Sequence, residues 1–258
     1  MTMPLTPARM SYQANDRLST AFAPVLPRPR ATTPSLAATS GEAAEDIASL
    51  ELIGLTRRLG RGHELFAEGD RASSYYKVVS GAVRLLRLMP DGRRHVVDFF
   101  VADDHFGFTP QPTYPYAAEA VIDSIVVAYP RRSVDDLIRR KPGVGRRLLD
   151  MVSRELTAAQ EQLVLLGRKT AQERLATFLM LLLQRSGRAG ATQPQLDLFM
   201  TRIDIADHLG LTIETVSRTL SQLKRQGVIA LPAPNRVVVL KPEALQRLRE
   251  GYGGNLDY

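Results

Sequence analysis

Glu214, Ser217, Arg218 and Ser221 stand at i, i+3, i+4 and i+7 in a segment whose apolar residues recur with helical spacing. On a helix that spacing stacks the four side chains into one stripe, starting near the N-terminal end. Their chemistry is that of base-edge recognition. The Arg218 guanidinium can donate two hydrogen bonds to guanine O6 and N7, Glu214 can accept from cytosine N4, and a serine hydroxyl serves either role. A major groove admits a helix, and its N-terminal side chains are the ones that reach the bases. An acid set among phosphates without a donor is costly, so non-specific attraction explains Glu214 poorly. The plain alternative is an i,i+4 Glu–Arg pair on a wet helix, worth about 0.2–0.5 kcal/mol.

The elements that must position this stripe are legible around it. Thr201 can cap a helix over 202–209, with Asp204 in its first turn, where the helix dipole favours an acid. Gly210 supplies the permissive backbone of a sharp turn. Thr212 can cap a second helix over 213–226, ending at Gly227. Helix, short Gly-containing turn, helix is the helix-turn-helix pattern. Ile205, Ala206, Leu209, Leu211, Val216, Leu220 and Leu223 are spaced to fill the core between the two helices. Beyond Gly227, the β-prone segments 228–231 and 236–240 flank Pro232-Ala233-Pro234-Asn235 and read as a hairpin wing. Arg202, Lys224, Arg225 and Arg236, with the hydroxyls of Thr212, Thr215 and Ser221, are candidates for the phosphate backbone.

A helix-turn-helix monomer covers few base pairs, and specificity generally comes from two copies on half-sites about 34 Å apart. A candidate for the pairing element lies upstream. Leu149, Val152, Leu156, Ala159, Leu163 and Leu166 alternate in steps of three and four, the seam spacing of a coiled coil. The seam spans roughly 27 Å at the helical rise. Packing of that helix on its own domain is the competing reading.

Net charge agrees with a polyanionic partner. The 258 residues carry +7, with a pI near 9.9. Residues 167–258 hold 13 basic and 8 acidic side chains, which places most of the excess in the last third. The absence of cysteine excludes disulfides, thiolate zinc sites, cysteine-ligated iron–sulfur clusters and a cysteine nucleophile. No apolar run approaches the roughly 18 residues of a membrane span, and no signal core is evident, so a cytoplasmic home is expected. No nucleophile elbow, phosphate-cradling glycine loop or paired-histidine motif occurs, so an enzyme is not expected. His105 after Asp103-Asp104 is a weak metal candidate, and no metal is expected. His208 reads as a surface or packing residue.

Residues 1–44 hold 6 of the 16 prolines and show no periodicity, which predicts a disordered tail, with an Arg-bearing transit peptide as the alternative. From about Ala48 to Pro130 the texture is β. Strand-like runs at 75–80, 83–88, 94–101 and 124–129 are punctuated by Gly81-Ala82 and Pro90-Asp91-Gly92, predicting a small antiparallel barrel or jelly roll. Residues 171–184 form a further helical segment, and 187–195 read as a loop.

Two stretches carry a resemblance to the CRP/FNR superfamily of bacterial transcription regulators, over about residues 45–245. Phe66-Ala67-Glu68-Gly69-Asp70 and Tyr76-Lys77-Val78-Val79-Ser80-Gly81-Ala82-Val83-Arg84 resemble its cyclic-nucleotide-binding-type β-roll. Arg202 to Arg218, with Glu214-Thr215-Val216-Ser217-Arg218 at its end, resembles the FNR/FixK branch. There the Glu, Ser and Arg of E-x-x-S-R read a TTGA-type inverted repeat, which implies those roles for Glu214, Ser217 and Arg218. The resemblance also implies a homodimer on a palindromic DNA operator, RNA polymerase as a partner, and mostly activation in micro-oxic respiration, denitrification and nitrogen fixation. Two departures stand out. The cysteine ligands of the FNR cluster are absent. In place of the phosphate cassette the chain has Gly107-Phe108 and Tyr114-Pro115-Tyr116-Ala117, without its acid or its arginine. The likeness is therefore to FixK proteins, and no cofactor is expected. A regulator gated by haem or another non-nucleotide molecule is the competing reading, with Phe106, Phe108, Tyr114 and Tyr116 as pocket candidates. The expected fold is α+β: tail 1–44, β-roll 45–142, dimerisation helix 143–167, and winged helix-turn-helix 168–258.

Overall fold

The computed structural model describes residues 41–186 and 194–251. In chain order the elements are α1 (Gly41–Glu51), β1 (Leu55–Leu59), β2 (Glu64–Phe66), β3 (Ser74–Ser80), β4 (Ala82–Leu88), β5 (Arg94–Val101), β6 (His105–Phe106), β7 (Ala117–Ala120) and β8 (Ser124–Pro130). Then follow α2 (Arg131–Arg140), α3 (Pro142–Arg168), α4 (Ala171–Arg185), β9 (Gln195–Asp197), α5 (Arg202–Leu209), α6 (Ile213–Arg225), β10 (Ile229–Ala233), β11 (Arg236–Val239) and α7 (Pro242–Arg249). No helix among the described residues is long and apolar enough to cross a membrane.

The N-terminal half is a roll of two four-stranded antiparallel sheets, ordered β1-β8-β3-β6 and β2-β7-β4-β5. Gly81 takes the chain from one sheet to the other. Its φ of +88° is left-handed, and a Cβ there would sit 2.2 Å from Ser124 Oγ. Around Pro90-Asp91-Gly92, β4 and β5 form a hairpin paired from Leu88↔Arg94 to Ala82↔Val101. Its register shifts where Leu85 faces Asp98 and Leu86 faces Val96. The extra residue, Val97, is a bulge that turns Val96 and Phe99 to one face, while Phe100 points to the other. Phe100 joins the core inside the roll, and Val96 and Phe99 join the core shared with the C-terminal unit.

Three boundaries differ from the sequence reading. The expected tail lies outside the described residues as far as residue 40, but 41–44 open α1, which continues to Glu51 where β texture was expected. Its Ala and Glu residues favour a helix, and Leu50, 6 % exposed, anchors it beside Tyr129, Val134, Leu137 and Val144. The seam helix runs from Pro142 to Arg168 rather than 143–167, with Pro142 in the first turn, where a missing N–H is harmless. Most of the expected loop 187–195 lies outside the described residues, but Gln195 opens β9, which completes the three-stranded wing sheet β10-β11-β9.

Candidate nucleic-acid interface

The two helices of the helix-turn-helix are set by local hydrogen bonds. Asp204 N–H donates to Thr201 Oγ1 (3.2 Å), and Asp204 Oδ2 accepts from Thr201 N–H (3.0 Å), a reciprocal capping box. Gly210 ends α5 in the left-handed region at φ +62°, which a residue with a Cβ adopts only under strain. Thr212 Oγ1 accepts from Thr215 N–H (3.2 Å) and starts α6. Between the helices Ile205, Ala206, Leu209, Val216, Leu220 and Leu223 are all buried, with Leu211 packed against them.

With the inner face filled, the polar stripe is left outward. Glu214, Arg218 and Ser221 are exposed and Ser217 is half-buried. Arg218 does not pair with Glu214; among the described residues it makes a hydrogen bond from Nη2 to Thr215 Oγ1 at 3.4 Å, the outer limit. The guanidinium fork is thus open to a ligand, and the wet-helix ion pair is not formed. Ser217 Oγ accepts from Arg202 Nη1 (3.2 Å), which leaves the hydroxyl hydrogen of Ser217 available to donate. Ser221 instead donates to Ser217 O (2.9 Å), so its proton is spent on the helix. Gln222, one turn beyond Arg218, extends the concave face with Thr215, Ser217, Ser221 and Arg225. The i+4 spacing already contained that signal.

The basic candidates separate. Lys224 and Arg225 are exposed in the last turn of α6. Arg202 is occupied by Ser217. Arg236 Nε donates to Asp197 Oδ1 (2.8 Å), its direct cross-strand partner. That pair was invisible in the sequence because 195–197 was not read as a strand. His208 is packed rather than superficial: it is 6 % exposed, against Phe99 and Phe178, and burial lowers its pKa below the ordinary histidine value.

On α3, Leu149, Val152, Leu156 and Leu163 are 64, 39, 59 and 70 % exposed. Ala159 is exposed too, and the side chain of Leu166 lies outside the described residues. Among the described residues of the helix, the leucines of the seam stay exposed, while Leu165 and Val144, off the seam, are buried.

The β-roll interior is filled by rings. Tyr114 stacks on Phe66 at 3.8 Å, Phe66 on Tyr76 at 5.3 Å, and Tyr76 on Phe106 at 5.3 Å. Tyr114 Oη donates to Ser74 O (2.7 Å). Loop 107–116 contains no Lys or Arg. The nearby Arg131 donates to Thr109 O and Gln111 O and lies over Tyr75. These residues do not fit a cyclic phosphate, which needs a free cation and room. Of the four aromatic pocket candidates, Phe106 and Tyr114 are buried in the core of the roll, Phe108 packs on Tyr75, and Tyr116 is half-buried. The carboxylates of Asp103 and Asp104 diverge to Lys77 (3.4 Å) and Arg185 (3.0 Å), and no group of three or more potential metal ligands occurs among the described residues.

Residues 56–141 match the cyclic nucleotide-binding domain and 173–248 the Crp-like helix-turn-helix domain. The chain is 40 % identical over 229 residues to the nitrogen fixation regulation protein FixK of Azorhizobium caulinodans, covering 88 % of this chain and 92 % of that one. It is 37 % identical over 218 residues to the transcriptional activator protein FnrL of Cereibacter sphaeroides, covering 83 % and 87 %. The structure of FixK2 from Bradyrhizobium japonicum superposes with a TM-score of 0.69 at 39 % identity, over 76 % of this chain and 97 % of that one. With its β-roll, long helix and winged helix-turn-helix, the chain belongs to the CRP/FNR family of DNA-binding transcription regulators, as a FixK-like member.

Proposed function

We propose that the protein binds double-stranded DNA as a homodimer and reads a TTGA-type inverted repeat with Glu214, Ser217 and Arg218, independently of a cyclic nucleotide or an iron–sulfur cluster. It acts mainly as an activator alongside RNA polymerase, at genes of micro-oxic or anaerobic respiration or nitrogen fixation. The observation that carries this reading is the outward stripe on α6, with the Arg218 fork free and the Ser217 proton available. Lys224 and Arg225 supply phosphate contacts at the far end of the helix. The bare leucine face of α3 supports pairing, because burying each large apolar side chain contributes about 1.5–3 kcal/mol. The ring-filled β-roll and the absence of cysteine support effector independence.

Selection of binding sites from random duplexes, with no small molecule added, tests the proposal. An enriched TTGA-type palindrome is expected. Enrichment of nothing, or of a single unpaired half-site, refutes it.

A further inference from the structure

Away from the reading face, a polar junction joins α5 to the β-roll. Arg84 of β4 donates from Nη1 to Asp204 Oδ1 (2.7 Å) and from Nη2 to Glu119 Oε1 of β7 (2.8 Å). Arg94 of β5 donates from Nη2 to the same Asp204 oxygen (2.7 Å) and from Nε to Asp207 Oδ2 (2.8 Å). The Asp204 side chain is 2 % exposed. Its other oxygen closes the capping box of α5, so one carboxylate serves both the start of that helix and the two strands of the hairpin.

The far end of α5 is held as well. The last carbonyls of a helix have no partner within it. Here Asp207 O accepts from His95 Nδ1 of β5 (3.0 Å), His208 O from Gln162 Nε2 of α3 (3.2 Å), and Leu209 O from Arg174 Nη1 of α4 (2.9 Å). A carbonyl can only accept, so His95 carries its hydrogen on Nδ1. His208 Nδ1 in turn faces Val96 O of β5 (3.1 Å). Both ends of α5 are therefore tied to elements outside the helix-turn-helix, and α6 keeps its reading face open in that arrangement.

We propose that Arg84, Arg94 and Asp204 are positioning residues for DNA recognition, through which the β-roll presets the orientation of the helix-turn-helix without an effector. This rests on the DNA-binding reading above. A dimer must present two α6 helices about one DNA turn apart, roughly 34 Å, so a fixed orientation makes it selective for half-site spacing. Preorganisation also lowers the ordering cost of binding. None of the three residues belongs to the reading stripe, so base preference within a half-site is not theirs to set.

The test is the full-length Arg84→Gln/Arg94→Gln double variant, which leaves the Thr201–Asp204 capping box in place. Affinity is measured by anisotropy on the selected operator, on operators with one base pair added or removed between half-sites, and on single-base variants. About tenfold weaker binding to the operator is expected, equivalent to about 1.4 kcal/mol. Discrimination against wrong spacing should fall by a similar factor, with single-base discrimination intact. If the double variant melts early, the Arg84→Gln/Arg94→Gln/Asp204→Asn protein is read instead, since it leaves no buried Asp204 charge unpaired. Unchanged affinity and spacing selectivity, or tighter binding, in a folded variant overturns the proposal. If the wild type itself selects no motif, it is the DNA-binding reading that fails.

Discussion

Arg218→Ala separates base reading from charge attraction most directly. In the free protein Arg218 is exposed and, among the described residues, makes a hydrogen bond to Thr215 at 3.4 Å and no ion pair with Glu214. Its removal should therefore leave folding stability within about 0.5 kcal/mol, as for most surface changes. In the complex, a bidentate guanidinium–guanine contact is worth about 1–3 kcal/mol of discrimination. A dimer on a palindrome makes that contact twice, so the variant should lose about 2–6 kcal/mol, or roughly 30-fold to 25,000-fold in Kd. Anisotropy titrations at fixed salt, on the operator and on duplexes with each base pair changed symmetrically, give the full pattern. The variant should become indifferent to one pair per half-site and keep its preferences elsewhere. Equal weakening on every duplex, random sequence included, would make Arg218 a phosphate clamp and refute the assignment.

Other outcomes follow from the same geometry. Lys224→Ala should weaken binding to all duplexes alike and make the slope of log K against log salt shallower by about one unit per subunit. Leu156→Glu places a charge on a residue already 59 % exposed, so the fold should survive while the protein sediments as a monomer with poor operator affinity. Dimers persisting in sedimentation would mean that α3 does not pair the subunits. Burial is the main cause of the lowered pKa of His208; His95 and Arg185 lower it further, the Asp98 charge and the Val96 carbonyl raise it, and Gln162 also faces the ring. The unfolded chain therefore takes up the proton first as pH falls below about 6.5. Stability should drop toward the depressed folded value, by up to about 1.4 kcal/mol per pH unit. His208→Asn should flatten the fall in melting temperature between pH 7.5 and 5.5, and an unchanged slope would assign the effect to other groups.

The helix-turn-helix was legible because everything that makes it is local. Thr201, Gly210 and Thr212 act within three or four residues of their partners, and helical spacing alone sorts Leu209, Val216 and Leu220 from Glu214 and Arg218. The seam on α3 was readable for the same reason. Short, irregular elements were not: β1 is a mostly exposed edge strand with Arg57 and Arg58 where an apolar pattern would be sought, and β9 has three residues. These become strands only because β8 and β11 supply their hydrogen-bond partners.

Composition, caps and periodicity by themselves determined the kind of C-terminal unit, the face it presents and the exclusion of thiolate chemistry. Tertiary structure decided which polar groups were already spoken for. Arg236 meets Asp197 across 39 residues, and Arg84 meets Asp204 across 120. Tyr114 reaches Ser74 across 40, and the stack it joins fills the roll. Hydrogen bonds and ring contacts at such separations depend on how whole sheets and helices pack, and no window of neighbouring residues encodes them.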